Sequence, residues 1–170
     1  MPLSKRCVSR LTPTLPMLNK DFKEFIQLLN SRNVEYLIVG GYALAAHGHP
    51  RYTGDIDIWL DRTDKNISLV LDALREFGFG DLGISVADLS TPNSVVQLGY
   101  APARIDLLSS IDGVSFAACY AKRVVRRIDD VELPVISEAD FRANKLATGR
   151  LKDLADVEAL DQGAGENGNR

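Results

Sequence analysis

The stretch YLIVGGYALAAHGHPRYTGDIDIWL, from Tyr36 to Leu60, limits what this chain can fold into more than any other part of it. Its four leading residues, Tyr36 to Val39, form an apolar run too short to nucleate a helix, and Gly40-Gly41 ends it, which predicts a buried strand entering a turn. Tyr42 to His47 then predicts a short helix, closed by Gly48 and Pro50. From Asp55 the residues alternate: Asp55, Asp57 and Trp59 fall on one face of a second strand, and Ile56, Ile58 and Leu60 on the other. The apolar face belongs to a core, and the acidic face is available for chemistry.

Each half of this unit has a plain reading and a functional one. Gly-Gly after a strand is commonly a tight turn, but glycines before a helix N-terminus also let backbone N–H groups approach a phosphate. Two aspartates can be tolerated at a solvated strand end, although aspartate is disfavoured in strands. Carboxylates two residues apart on a strand project from one face and can converge on a divalent ion. Asp106 tips the weighing, because it is a third acid with the same facing pattern, in the later run RIDLL. Oxygen ligands from three carboxylates on two strands suit a pair of Mg2+ ions, with Mn2+ as the alternative.

The remaining chain supplies support for that unit. Phe22, Phe25, Ile26 and Leu29 recur at helical spacing after Asn19, an N-cap residue, and Thr63 precedes a second amphipathic helix that Gly78 ends. Gly80 to Pro92 is expected to be irregular, with one helical turn near Val86 to Leu89. Ser94 to Leu98 and Ala103 to Leu108 predict two strands, and Ser115 a short helix through Tyr120. Val124 to Ile128 and Val131 to Val135 flank Asp129-Asp130, a hairpin signal, with Pro134 marking a strand end or edge. Ser137 and Asp140 open a helix that Gly149 closes, and a last helix follows from Leu151 to Leu160. The expected fold class is therefore α/β (α+β), a small mixed, twisted sheet of about four or five strands backed by helices. The expected division is a flexible lead over residues 1–18, one domain over 19–161, and a disordered tail over 162–170.

Charge and cysteine usage narrow the function classes. Twenty Lys and Arg against 23 Asp and Glu give a net charge of −3, so no global basic field draws the chain to nucleic acid. Cys7 and Cys119 stand in unrelated contexts, without zinc-ligand spacing, and fit a reducing, cytoplasmic setting. No apolar run approaches the roughly 18 residues of a membrane span.

With GG, D-I-D and a third Asp on a later strand in place, the chain resembles the DNA polymerase β-like nucleotidyltransferases. More closely, VGGYALAAHGHPRYTGDIDIW, RIDLL and NKLATGRLKDLADVEAL are similar to small bacterial stand-alone nucleotidyltransferase-like proteins of the toxin-antitoxin type. The resemblance implies an enzyme that moves a nucleoside monophosphate from an NTP, ATP or another, to a hydroxyl of protein or RNA, a cognate toxin or a tRNA among them. It implies that Asp55, Asp57 and Asp106 hold two metals and that Asp106 helps deprotonate the acceptor. The nucleotide would meet Gly40, Gly41, Tyr42, Arg51, Thr53, Lys145 and Lys152. Gly41 stands where many relatives place a phosphate-binding serine, and Leu44 where the compact enzymes carry an arginine that Arg51 would replace.

Several of these residues also have structural readings. Lys145, Arg150 and Lys152 could meet a triphosphate or simply pair with Asp153 and Asp156, and His47 and His49 could be ordinary loop residues. Trp59 fits either a base-stacking platform or a packed aromatic. The alternative function is a catalytically inactive binding protein of the same fold, antitoxin-like and acting by occlusion. A phosphatase of the haloacid-dehalogenase kind is disfavoured, because Gly54 precedes the acids where an apolar strand should stand. A sugar-transferring DxD site is disfavoured too, for want of a preceding nucleotide-sugar domain.

Overall fold

The computed structural model describes residues 17–167. Most of the expected lead, residues 1–16, and the last three residues of the expected tail lie outside the described residues. Leu18, at the end of that lead, is already buried in the core.

The first helix, α1 (Lys20–Ser31), begins where the Asn19 side chain accepts the Phe22 backbone N–H at 2.9 Å. Its buried face of Phe22, Phe25, Ile26 and Leu29 is the predicted stripe. Burying each such side chain contributes about 1.5–3 kcal/mol. Next come β1 (Tyr36–Val39), α2 (Gly40–Ala46), β2 (Asp55–Leu60) and α3 (Asp64–Leu74). The predicted second amphipathic helix is thus shorter than Gly78 implied: after Leu74 it loosens into a wider turn, within which Gly78 adopts φ 101°. A one-turn helix, α4 (Val86–Ser90), is held by reciprocal capping between Ser85 and Asp88. Then follow β3 (Val95–Leu98), β4 (Arg104–Leu108), α5 (Phe116–Ala121), β5 (Val124–Ile128) and β6 (Val131–Val135). Asp129 and Asp130 turn the β5–β6 hairpin with φ of 48° and 65°, the left-handed pair that a tight hairpin needs.

All six strands join one sheet in the order β3-β4-β2-β1-β6-β5, one or two more than expected. The reason is that β6 pairs with β1 in parallel, at Ile38 with Val135, so the hairpin extends the sheet rather than standing apart. Pro134 therefore lies near the end of an internal strand, not on an edge. At the centre, β2 runs antiparallel to β1 and parallel to β4. Ile56, Ile58, Ile105 and Leu107 are buried in the core, in one cluster with residues of α1 and α3. Asp55, Asp57 and Asp106 stand on the alternate positions of the same two strands.

Two helices complete the described chain, α6 (Glu138–Thr148), capped by Ser137 on Asp140, and α7 (Leu151–Asn167). The last helix runs past the expected end at Leu160, so Gln162 to Asn167, assigned to a disordered tail, are helical. Gly163 packs closely on the His49 imidazole, where a Cβ would lie 2.4 Å from Cε1 and the ring would have to turn aside. A buried ion cluster fixes α7 in place. Lys145 Nζ lies 2.9 Å from Asp153 and 3.4 Å from Asp156, and Arg51 reaches Asp156 through two donors at 2.9 and 3.1 Å. Burial pushes the Asp153 carboxyl up, but hydrogen bonds from Lys145, Thr148 and Arg150 outweigh it and hold the group at about 2.

Removing Asp153 would leave the buried Lys145 ammonium with a single partner. Asp153→Ala is expected to lower stability by about 3 kcal/mol, with roughly 2–4 °C lost per kcal/mol. A carboxyl held below its unfolded value stabilises the fold above that value and loses the effect as pH falls. In calorimetric scans the gap between wild type and Asp153→Ala should therefore narrow between about pH 4 and pH 2. A gap independent of acid would contradict the assignment.

Candidate active site

The acids are placed by strand register. Parallel pairing of β2 with β4 sets Asp55 opposite Arg104 and Asp57 opposite Asp106, and alternation turns all four side chains to one face. One carboxylate oxygen from each of Asp55, Asp57 and Asp106 lies within 4.8 Å of the others. Asp106 is 5% exposed, so this is no solvated strand end. Its burial pushes the carboxyl up, and Arg104 opposes without cancelling. Burial together with the Asp55 and Asp106 charges pushes Asp57 up to about 7, against the pull of Lys145 and Lys152. Like charges at this spacing in a poorly hydrated place cannot all ionise freely.

Arg104 is the counter-charge. Its Nε donates to Asp106 Oδ1 at 2.8 Å, and Nη2 donates to Asp106 Oδ2 at 3.0 Å and to Asp55 Oδ2 at 2.5 Å. Asp57 receives none of these bonds. Thr53 Oγ1 donates to Asp55 Oδ1 at 2.9 Å, orienting the first acid from the loop before β2.

The two glycines answer to these acids. Gly40 has φ 65°, and a Cβ on it would lie 2.1 Å from Asp57 Oδ2, so the turn is glycine because the carboxylate lies against its backbone. Gly41 packs in the same way on Thr53, where a Cβ would sit 3.0 Å from the threonine Cβ. The pair thus lets the acid strand and its lead-in close on the turn.

Beside Asp57 and Asp106 opens a cleft of about 440 Å3, with Gly40 at one edge and Gln97 of β3 at another. Lys145, Thr148 and Arg150 bring the end of α6 to its wall. A larger groove of about 740 Å3 lies elsewhere, between Glu24, Leu28 and Phe77, and holds none of the three acids. The cleft has the size of a small-molecule site and holds oxygen acids on its floor and cations on its wall.

The other predicted nucleotide contacts divide. Lys145 reaches the cleft, but its ammonium is committed to Asp153 and Asp156. Arg51 is committed to Asp156, and Tyr42 packs edge-on against Phe22 with its hydroxyl pushed up by burial and by Asp55. Lys152 is exposed and its charge is felt at Asp57. His47 pairs with the Ile136 carbonyl at 2.8 Å, a structural bond. Trp59 is 2% exposed and meets Phe116 edge-on, which makes it a core residue rather than a stacking platform. Arg104 is the residue that motif reading passed over. Its signal was present: it sits two positions before Asp106, on the same face.

Three convergent carboxylates are a hard-oxygen donor set, which fits Mg2+ or Mn2+ better than softer ions. The requirement is that Arg104 yield oxygens of Asp55 and Asp106.

The family described as "Nucleotidyltransferase of unknown function (DUF6036)" matches residues 14–162. Among solved structures, an antigenic nucleotidyltransferase-like protein from Paracoccidioides brasiliensis is similar, at 16% identity and a TM-score of 0.51, covering 85% of this chain and 77% of that one. A lincosamide antibiotic adenylyltransferase bound to lincomycin aligns at 14% identity and a TM-score of 0.48, covering 85% of this chain and 97% of that one. No curated protein matches the chain.

A carboxyl held above its unfolded value keeps its proton in the folded chain while the unfolded chain loses it. Asp57 thus costs stability increasingly as pH rises from about 4 to about 7. With EDTA present, Asp57→Asn is expected to raise Tm by several degrees at pH 8 and by little at pH 4. A lower Tm at pH 8 would contradict the repulsion described for this cluster.

Proposed function

The chain belongs to the nucleotidyltransferase family that matches residues 14–162, and from that premise we propose that it moves a nucleoside monophosphate from an NTP to a hydroxyl on protein or RNA. The observation that carries this reading is the convergence of Asp55, Asp57 and Asp106 to within 4.8 Å, beside a cleft with cations on its wall. Asp55, Asp57 and Asp106 would hold Mg2+, with Mn2+ able to replace it. When bound, the ions supply positive charge to the α-phosphate and to the pyrophosphate leaving group. Asp106, buried and with raised proton affinity, is suited to take the proton of the attacking hydroxyl. Arg150, exposed on the cleft wall although paired with Asp153, and Lys152, whose charge reaches Asp57, offer charge to the outer phosphates. Lys145, paired to Asp153 and Asp156, acts on the site through its field rather than as a mobile ligand.

Family membership supports the transferase class, and the acid geometry supports metal dependence. A toxin-antitoxin setting for the acceptor rests on the sequence resemblance alone. The second reading, an occluding binding protein that keeps the fold without turnover, is favoured by one observation, the hold of Arg104 on two of the acids. No helix among the described residues is long and apolar enough to cross a membrane.

Incubation with each α-labelled NTP, Mg2+ and cell extract tests the reading. Label should pass to a macromolecule with one NTP preferred, and Asp55→Ala or Asp57→Ala should reduce transfer at least about 100-fold. Transfer that survives loss of both acids overturns the mechanism. Absence of transfer by wild type with every NTP moves the conclusion to the binding protein.

A further inference from the structure

Arg104 is built into the acid cluster more tightly than a neighbouring surface arginine would be. It donates to both oxygens of Asp106 and to one of Asp55, while its side chain remains 32% exposed. Of the four carboxylate oxygens on these two residues Arg104 holds three, and the fourth, Asp55 Oδ1, accepts from Thr53 Oγ1, so a cation drawing on both residues meets oxygens already engaged. A carboxylate oxygen turned to a guanidinium in a bidentate pair has little freedom to meet an ion as well. The register brings the three side chains together: Arg104 stands opposite Asp55 across the strands and shares the face of Asp106 on its own strand.

We propose that Arg104 is the resident counter-ion of the acid cluster, that a divalent cation must displace it to bind, and that the displaced guanidinium then serves the triphosphate. The inference rests on the nucleotidyltransferase reading and deepens it. Charge supports both steps. Three carboxylates close together need compensation for the fold to persist, and Arg104 provides it without any ion. Once cations neutralise the carboxylates, the guanidinium needs a new acceptor, and its planar fork of donors matches a phosphate. Partial exposure gives it room to turn, and its place on the acid face keeps it near whatever lies above the acids. The consequence is coupling: cation alone binds against Arg104, whereas cation and triphosphate together satisfy the carboxylates and the guanidinium.

The test is a Mn2+ titration followed by the electron paramagnetic resonance of the free ion, on wild type, Arg104→Gln and Arg104→Lys, with circular dichroism to confirm folding. A second titration measures binding of inorganic tripolyphosphate at saturating Mn2+. Arg104→Gln is expected to bind Mn2+ alone about tenfold more tightly and the tripolyphosphate complex about tenfold more weakly, each corresponding to about 1.4 kcal/mol. Arg104→Lys keeps the charge but loses the fork, and should also bind Mn2+ several-fold more tightly than wild type. Opposite signs in one folded variant cannot come from general damage, which would weaken both. The proposal is overturned if Arg104→Gln binds Mn2+ no more tightly, or binds tripolyphosphate as well as wild type does. It is also overturned if Arg104→Lys matches wild type for Mn2+, which would assign the effect to bulk charge. If no protein binds Mn2+ with or without tripolyphosphate, the metal reading falls with it; Mn2+ binding that Arg104 does not influence removes the displacement and leaves the nucleotidyltransferase reading standing.

Discussion

Repulsion among three carboxylates on two adjacent strands is the constraint around which this protein is arranged. Asp55, Asp57 and Asp106 are brought within 4.8 Å by parallel pairing, a spacing that burial makes unfavourable. The surrounding structure answers that cost in several ways. Arg104 compensates Asp55 and Asp106, Thr53 orients Asp55, and the Lys145 and Lys152 charges act on Asp57 from the C-terminal helices. Asp57 receives no bond from Arg104, so burial, with the Asp55 and Asp106 charges, holds its proton to about pH 7. A cluster of this kind lowers the stability of the chain and is understandable where the carboxylates have work to do on a cation.

The fold bears the load through its other face. Ile56, Ile58, Ile105 and Leu107 alternate with the acids and are buried in the core, so the strands that carry the repulsion are anchored by their opposite face. The C-terminal helices are held by charge as much as by apolar contact. The Lys145, Asp153, Asp156 and Arg51 cluster joins α6, α7 and the loop before β2, and Gly163 of α7 lies against His49. Through this cluster the position of α7 and the field at Asp57 are linked, because Lys145 belongs to both.

Much of this was legible in the amino-acid order. Period-two alternation assigned the faces of DIDIWL and RIDLL, and residues such as Asn19, Ser137 and the Asp129-Asp130 pair marked element ends through local hydrogen bonding and backbone preference. What alternation does not fix is register between distant strands. Arg104 could be placed on the acid face but not opposite Asp55, and β6 could be seen as a strand but not as the partner of β1. Pairings over about a hundred residues, such as Arg51 with Asp156, leave no local trace, so a residue that looked free for a nucleotide is bound to an acid. Gly40 and Gly41 were recognisable as essential to the turn. Only the structure ties them to Asp57 and Thr53.

Everything proposed for this protein turns on one site, a divalent cation site formed by these three acids and guarded by Arg104. Its most direct test is a crystal structure of the protein soaked in Mn2+, with anomalous scattering locating the metal. Anomalous density bounded by Asp55, Asp57 and Asp106 is expected, with the Arg104 guanidinium turned away from Asp55 and Asp106. At saturating Mn2+, the absence of density there, with Arg104 still bonded to both carboxylates, would contradict it.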